Sequence, residues 1–189
     1  MRIGILALQG DFDAHHQRLI ALGAEPVLVR NPDQLKDVDG LIIPGGESSV
    51  FLKLLGERGF KKLAKYVLSR PTFGTCAGCI LLAREVENPP QKGLGALDIT
   101  VRRNAYGRQI DSAIIEGPSK LEGGPLEQVY IRAPRIERVG AGVEVLAERD
   151  GHPVLVRQGK LLAATFHPEL SVDTRVHAEF LRLAEKFKK

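Results

Sequence analysis

The segment Leu41-Ile42-Ile43-Pro44-Gly45-Gly46 decides the fold, because its apolar residues predict a buried strand and its glycines predict a turn from that strand into a helix. Its first three residues are apolar at every position, as expected for a strand that helices cover on both faces of a sheet. The Pro-Gly-Gly that follows ends the strand and begins a turn into a helix. We therefore expect a central strand of a parallel sheet at this point.

Strand-like and helix-like runs alternate on both sides of this segment along the first half of the chain. Strands that are separated by helices form βαβ units, in which neighbouring strands are parallel. The predicted strands are residues 2–8, 25–29 and 40–43, and the predicted helices are residues 13–22, 49–57, 60–69 and 77–84.

The second half of the chain differs, because glycines and prolines separate short apolar strands there. Asp150-Gly151 and Gln158-Gly159 lie between three apolar runs and predict two tight hairpins. A helix at 173–186 follows, and its apolar stripe, which should dock on the sheet, consists of Val176, Phe180, Leu183 and Phe187. The predicted fold class is α/β, with a mostly parallel central sheet and added antiparallel strands.

Length and composition indicate a single globular domain, residues 1–189. Apolar residues make up 43% of the chain and charged residues 26%, which argues against disordered and fibrous classes. The net charge of +4 is modest and forms no basic stripe, so nucleic acid is not an expected partner.

The apolar runs are too short for a membrane span, and the first one is too short for the core of a signal peptide. The two cysteines, Cys76 and Cys79, are three positions apart, which does not fit a disulfide scaffold and suits a reducing compartment. We therefore expect a cytoplasmic protein without a membrane partner.

Gly74-Thr75-Cys76-Ala77-Gly78 lies where a predicted strand turns into a predicted helix, with a glycine two residues on either side of the cysteine. This is the pattern of a nucleophile elbow with cysteine in place of serine, in which a strained turn presents the thiol above the sheet. The start of a helix favours a thiolate, and the N–H of Ala77 can donate to an oxyanion. Cys76 is the candidate nucleophile.

Three other interpretations of this cysteine remain open. A cysteine is most often a small buried apolar residue, which is what we expect of Cys79. Cys76 and Cys79 also form a C-x-x-C motif at a helix start, which is typical of a redox site. A zinc site would need two more ligands nearby, and the sequence offers no histidine close to this motif.

His167-Pro168-Glu169 follows a predicted strand, and residues two apart on an extended chain point to the same side. Attack on an amide by a thiolate requires an imidazole to carry the proton and a carboxylate to set the imidazole tautomer. His167 and Glu169 are the candidates for these two tasks. The remaining histidines occupy positions where surface imidazoles are common, and we expect no chemistry from them: His15, His16, His152 and His177.

The glycine turn Pro44-Gly45-Gly46-Glu47-Ser48 joins a strand to a helix. Tandem glycines let backbone N–H groups face a ligand, so Gly46 is a second candidate donor to the oxyanion beside Ala77. Ser48 or Ser49 is the expected cap of the helix that follows. An ordinary turn with no ligand is the alternative.

These residues resemble the class I glutamine amidotransferases and, within that family, the branch that supplies pyridoxal phosphate synthases. The elbow and the His-Pro-Glu motif indicate the reaction, and three other segments indicate the branch. The motifs that carry the resemblance run in the family order over nearly the whole chain: Leu8-Gln9-Gly10, Pro44-Gly45-Gly46-Glu47-Ser48, Gly74-Thr75-Cys76-Ala77-Gly78, Arg103-Asn104-Ala105-Tyr106-Gly107-Arg108-Gln109, Ile131-Arg132-Ala133-Pro134 and Phe166-His167-Pro168-Glu169-Leu170.

The resemblance implies a flavodoxin-like three-layer fold, a triad of Cys76, His167 and Glu169, and an L-glutamine substrate. It implies that the glutamine site is lined by Gly46, Glu47, Ser48, Arg103, Ile131 and Arg132. It also implies a barrel-shaped pyridoxal phosphate synthase subunit as partner in a hetero-oligomeric complex, with Gln9 and Gly10 placed against it. Neither a metal nor an organic cofactor is implied.

Two rival functions remain open from the sequence. One is the same hydrolysis of glutamine for a different synthase, in the imidazole glycerol phosphate or purine pathway. The other is a non-catalytic or redox relative that uses Cys76 and Cys79, because a fold alone does not determine function.

Overall fold

A computed structural model describes residues 1–105 and 112–188 of the chain. The strands are β1 (Arg2–Leu6), β2 (Glu25–Val29), β3 (Gly40–Ile43), β4 (Thr72–Thr75), β5 (Ala83–Glu87), β6 (Leu97–Arg102), β7 (Ser112–Gly117), β8 (Leu126–Ile131), β9 (Arg135–Val139), β10 (Glu144–Arg149), β11 (His152–Gln158) and β12 (Leu161–Ala164). The α-helices are α1 (Phe12–Ala21), α2 (Ser48–Ser69), α3 (Ala77–Leu82) and α4 (Arg175–Lys186), and short 3₁₀ turns occupy Pro32–Asp37 and Pro168–Leu170.

The central sheet has seven strands in the order β10-β11-β12-β4-β3-β1-β2. The strands from β12 to β2 are parallel to their neighbours, and β10 and β11 are added in antiparallel fashion. The parallel strands follow the order β2-β1-β3-β4-β12, which is the strand order of a flavodoxin-like doubly wound sheet. Smaller sheets are formed by β5-β6-β9 and β7-β8. The predicted fold class is confirmed.

The sheet separates two apolar layers, because successive residues of a strand point to opposite faces. Leu41 and Ile43 pack with residues of α2 and α3, whereas Ile42 between them packs with residues of α1 and α4. Burial of each such side chain stabilises the fold by about 1.5–3 kcal/mol. Strands that are buried on both faces explain the uninterrupted apolar run in the sequence.

Several element boundaries differ from the predictions, and β1, for example, ends at Leu6 and not at Leu8. The two helices predicted at 49–57 and 60–69 are both present as the two segments of α2, which meet at a kink at Gly56, where φ is 59° and ψ is −178°, so that only the position of the break differs. Helix α3 stops at Leu82 because Ala83 begins β5. Phe187 was expected to dock, yet it is 43% exposed because α4 ends at Lys186 and the helical spacing is lost.

Within the described part of the chain, none of the helices is both long and apolar enough to cross a membrane.

Candidate active site

The carboxyl ends of neighbouring parallel strands bring the candidate residues together. The glycine turn follows β3, Cys76 follows β4, and His167 lies three residues after β12. Ligands of open α/β sheets bind at this edge, beside the point where the strand order reverses. A pocket of about 440 Å³ opens there, and both Cys76 and His167 line it.

Cys76 has the strained backbone that the sequence predicts, with φ at 47° and ψ at −101°. A Cβ atom on Gly74 would lie 2.5 Å from the carbonyl carbon of Gly78, and a Cβ atom on Gly78 would lie 2.1 Å from the carbonyl oxygen of Ile43. Real Cβ contacts are not that short, so both flanking positions require glycine for strand and helix to approach each other. The turn is therefore enforced by sterics at two points.

The two cysteines have different surroundings. Cys76 lines the pocket at the start of α3, where the first backbone N–H groups, including that of Ala77, have no acceptor within the helix. Cys79 is fully buried, and burial together with the nearby Cys76 raises the pKa of its thiol. Both are free thiols. Cys79 thus packs in the core as expected and stays protonated.

His167 and Glu169 are joined by a hydrogen bond of 2.7 Å from Nδ1 of the imidazole to Oε1 of the carboxylate. The sequence predicted an extended pair, which is wrong, because Pro168–Leu170 forms a 3₁₀ turn that brings the Glu169 carboxylate to the Nδ1 edge of the ring. Proline favours the first position of such a turn. The bond to Nδ1 leaves Nε2 as the nitrogen that faces the pocket side.

The charge state of His167 depends on both neighbours. Burial lowers the pKa of His167, but contact with the Cys76 thiol and the bond to Glu169 outweigh this effect and raise the pKa to about 10. Among the described residues Nε2 has no hydrogen-bond partner of ordinary geometry, although the nearby Cys76 thiol contributes to the raised pKa of His167. The site therefore favours an imidazolium at His167, beside the sulfur of Cys76.

The glycine turn lies directly against the imidazole. A Cβ atom on Gly45 would be 2.5 Å from Cε1 of His167 and 3.5 Å from Cβ of Cys76. Any side chain at this position would displace the ring. The sequence predicted that Gly46 faces the oxyanion, but it did not reveal that Gly45 makes room for His167.

Gln9 and Gly10, the predicted partner-coupled residues, also lie against this turn. The side-chain amide of Gln9 accepts a hydrogen bond from the Glu47 N–H at 3.2 Å and donates one to the Glu47 carbonyl at 3.3 Å. A Cβ atom on Gly46, whose φ is 135°, would lie 2.5 Å from Oε1 of Gln9. The loop after β1 therefore holds the peptide that follows Gly46.

The six residues expected to line the glutamine site all line the pocket: Gly46, Glu47, Ser48, Arg103, Ile131 and Arg132. Nη2 of Arg103 lies 2.9 Å from Oε1 of Glu47, and the Arg103 side chain is 14% exposed. The lining residues that belong to none of the quoted motifs are Asp11 and Ile80. Residues 106–109 of the quoted Arg-Asn motif lie outside the described residues.

The cap of α2 differs from the prediction. Glu47 is the N-cap residue, and its carboxylate accepts from the backbone N–H of Ser49 at 3.4 Å. The hydroxyl of Ser48 instead donates to the side chain of Gln91 at 2.9 Å. A carboxylate can cap a helix in place of a hydroxyl, and this one is also paired with Arg103.

The expectation that His15 and His177 are surface residues is wrong, because both are fully buried. The inner faces of α1 and α4 bring them together, with Nδ1 of His15 2.9 Å from Nε2 of His177. Nε2 of His15 lies 3.1 Å from Oγ1 of Thr75 and 3.5 Å from Oε2 of Glu169. We refer to His15, His177 and Thr75 as the histidine cluster. His16 and His152 are partly exposed.

Within the described residues, histidine, cysteine and acidic side chains form no group of three or more that could hold a metal ion.

A doubly wound sheet with a cysteine turn at its carboxyl edge, beside a paired histidine and glutamate, is the arrangement of class I glutamine amidotransferases. The chain belongs to the SNO glutamine amidotransferase family, which it matches over residues 5–186. This confirms the resemblance drawn from the sequence motifs.

Individual relatives cover almost all of the chain. It is 70% identical to the pyridoxal 5'-phosphate synthase subunit PdxT of Koribacter versatilis, over 97% of this chain and 95% of that protein. It is 47% identical to PdxT of Fervidobacterium nodosum over the full length of both. A crystal structure of a glutamine amidotransferase, 47% identical, superposes with a TM-score of 0.89 over 97% of this chain and 98% of the other.

Proposed function

We propose that this protein hydrolyses L-glutamine to L-glutamate and ammonia through a thioester on Cys76. The observation that carries the proposal is the set formed by Cys76, His167 and Glu169, in which two members line one pocket and the third is hydrogen-bonded to the second. Membership of a glutamine amidotransferase family supports the choice of substrate. We also propose that residues 1–189 fold as one glutaminase domain.

The first half of the reaction is acylation. The Cys76 thiolate attacks the side-chain amide carbon of glutamine, and the N–H groups of Gly46 and Ala77 hold the oxyanion that forms. The His167 imidazolium then gives a proton to the departing nitrogen, so that ammonia leaves and a thioester remains.

The second half of the reaction is hydrolysis of that thioester. His167 takes a proton from the attacking water, and the Cys76 thiolate departs when the tetrahedral intermediate collapses to glutamate. Glu169 keeps the imidazole in the tautomer with hydrogen on Nδ1 and stabilises the imidazolium in both halves. No metal or organic cofactor takes part in either half.

Residues that line the pocket recognise the α-amino and α-carboxylate groups of glutamine. Arg103 and Arg132 are the arginines of the described lining, and a guanidinium suits the substrate carboxylate. Glu47, Ser48 and Ile131 complete this wall. Arg103→Ala should raise KM for glutamine more than it lowers kcat, because a carboxylate clamp binds ground and transition states alike.

Arg102→Ala is the matched control for Arg103, since Arg102 pairs with Glu137 at 3.2 Å outside the pocket. Its KM for glutamine should equal that of the wild type. Equal KM values for both variants would remove Arg103 from the substrate site.

We further propose that the ammonia passes to a pyridoxal 5'-phosphate synthase subunit, a barrel enzyme that binds sugar phosphates, in a cytoplasmic hetero-oligomeric complex. The names of the relatives support this partner. The direct test mixes the purified chain with that synthase and measures glutamate release and pyridoxal 5'-phosphate formation from glutamine. Glutamate without pyridoxal phosphate would favour a different synthase, and neither product would favour the non-catalytic or redox alternative.

The isolated chain should be a poor glutaminase that its synthase strongly stimulates. Gln9 is hydrogen-bonded to the backbone of Glu47, the residue next to Gly46, so a partner that contacts Gln9 and Gly10 can shift the turn and realign the Gly46 N–H. One missing donor costs about a hundred- to a thousandfold in rate. Equal rates of glutamate release with and without the synthase would contradict this coupling.

A further inference from the structure

The acid of the triad has a second carboxylate oxygen whose surroundings the proposed reaction does not explain. Glu169 is only 1% exposed, and its Oε1 is occupied by His167. Its Oε2 is buried and has no hydrogen-bond partner of ordinary geometry in the described part of the chain. A buried carboxylate oxygen without a donor is costly, so the group that faces it is informative.

That group is the Nε2 edge of His15, 3.5 Å from Oε2 of Glu169 and 3.1 Å from the Thr75 hydroxyl. His15 therefore lies between the acid of the triad and the residue that precedes Cys76. Helix α1 makes a second contact on the same face, where Nε of Arg18 donates to the Glu169 carbonyl oxygen at 3.1 Å. One helix thus holds both the side chain and the backbone of Glu169.

The His15 ring is neutral, so only one of its nitrogens carries hydrogen. Burial, followed by the charges of His177 and His167, keeps the pKa of His15 well below its usual value. Burial, with the nearby Arg18 charge, lowers the pKa of His177 to about 3. The pair can therefore adopt two arrangements, which differ in the direction of the hydrogen bond between the rings.

In one arrangement His15 carries hydrogen on Nδ1 and donates to His177. His177 would then carry its hydrogen on Nδ1, and that buried N–H would have no acceptor among the described residues. The Nε2 lone pair of His15 would also face the Glu169 carboxylate. An orphaned buried N–H and an acceptor facing an acceptor are both unfavourable.

In the other arrangement His177 donates from Nε2 to Nδ1 of His15, and His15 carries hydrogen on Nε2. That hydrogen points toward the Thr75 oxygen and Oε2 of Glu169, and the ring nitrogen of the pair that lacks a partner among the described residues is then an acceptor, Nδ1 of His177. Buried acceptors without partners are tolerated better than buried donors. The second arrangement is therefore favoured.

We propose that His15 is a positioning residue for the triad: its Nε2–H faces Oε2 of Glu169 and anchors Thr75, and His177 fixes the required tautomer. His15 touches neither the thiol nor the substrate. It acts by fixing the carboxylate that orients His167, so it should affect kcat and leave KM nearly unchanged. This role rests on the proposed glutaminase activity.

The kinetic test compares His15→Leu with His15→Gln in complex with the synthase. Leucine removes the N–H, whereas the amide of glutamine can place an N–H where Nε2 lies. His15→Leu should lower kcat by about 10- to 100-fold, by analogy with the loss of residues that orient the ligands of a metal site, with KM little changed and most of the rate restored in His15→Gln. His16→Leu, on the same helix and partly exposed, is the control.

A folded His15→Leu variant, by circular dichroism, with wild-type kcat would overturn the proposal. A wild-type complex that releases no glutamate would instead refute the proposed function, and with it this role. The two failures are therefore distinguishable.

The tautomer can be measured on the wild-type chain, so the proposal does not depend on a variant that folds. Two-bond ¹H–¹⁵N spectra of the ¹⁵N-histidine-labelled chain should show His15 with hydrogen on Nε2, assigned by the signals missing in His15→Gln. His177→Leu should weaken this preference and His177→Gln should keep it, because only glutamine retains a donor. A His15 that carries hydrogen on Nδ1 in the wild type would overturn the proposal.

Discussion

The turn that carries Cys76 and the histidine cluster behind Glu169 are both buried, but the chain builds them in different ways. The turn consists of five consecutive residues, and its shape follows from clashes that any side chain on Gly74 or Gly78 would cause. The cluster joins residues that are 162 positions apart, and hydrogen bonds and burial hold it together. Local sterics thus fix the nucleophile, whereas packing of distant helices fixes the acid.

The largest expected effect is in the turn. Cys76→Ala should abolish glutamine hydrolysis by the complex, because loss of a triad nucleophile costs on the order of 10⁶ in rate. The glycines that permit the turn remain, so the fold should persist. Glutamate release would be measured with the synthase present, and a rate within tenfold of wild type would end the covalent mechanism. Cys79→Ala should keep substantial activity; an equal loss would favour a redox pair.

The next effect tests the junction between the two regions. Glu169→Gln should slow hydrolysis less than His167→Ala, because the proton carrier remains while the charge that stabilises the imidazolium is lost. In a comparable triad the acid alone is worth about 10⁴ in kcat and the histidine about 10⁶. Single-turnover rates of both variants in the complex provide the comparison. The reverse order would assign Glu169 a different task.

The steric requirement for glycine in the Cys76 turn can be tested by measuring the free energy of unfolding. Gly78→Ala should lower the free energy of unfolding by about 3 kcal/mol or more, because its Cβ would overlap the Ile43 carbonyl, which cannot move aside. Gly23→Ala is the control, since Gly23 has a φ of 73° but no atom near its Cβ position, and should cost about 1–2 kcal/mol. Urea denaturation measures both. Similar losses would show that the turn is not sterically enforced.

The last prediction tests the histidine cluster through the pH dependence of stability. His177 has a pKa of about 3 in the fold and an ordinary value of 6.5, so below pH 6.5 the unfolded chain binds a proton that the folded chain does not. Stability contributed by the neutral ring is therefore present above pH 6.5 and is lost as the pH falls toward 3, by about 1.4 kcal/mol per pH unit. Urea denaturation of His177→Gln should show a shallower decline in the free energy of unfolding between pH 6 and 4 than the wild type shows. Parallel declines would contradict the buried neutral ring.

Features with a local cause could be predicted from the sequence. The hairpin at Asp150-Gly151 was predicted from a dipeptide that tolerates positive φ, and both residues have it, at 51° and 75°. The Cys76 turn follows from the spacing of two glycines. The apolar run at β3 indicates burial on both faces. Each of these features depends on residues within a few positions of one another.

Features that depend on tertiary packing could not be predicted. His15 looked like a surface residue because a helical histidine has no local mark of burial, and its partner His177 lies on another helix. Glu47 caps α2 partly because Arg103, 56 positions later, holds its carboxylate. The only weak signal in the sequence was spacing, since His15 precedes the apolar Leu19 by four residues and therefore shares its face of α1, the face that the structure buries.

The contact between α1 and α4 also has a consequence for synthesis of the protein. Ribosomes add about 5–20 residues per second, so His177 is made roughly 8 to 30 s after His15. During that interval the Glu169 side of the sheet lacks the apolar face of α4, with Val176 and Phe180, that covers it in the finished fold. A nascent chain can thus form the Cys76 turn before α4 covers this side of the sheet. The triad of Cys76, His167 and Glu169 reaches its final geometry only when α4 docks.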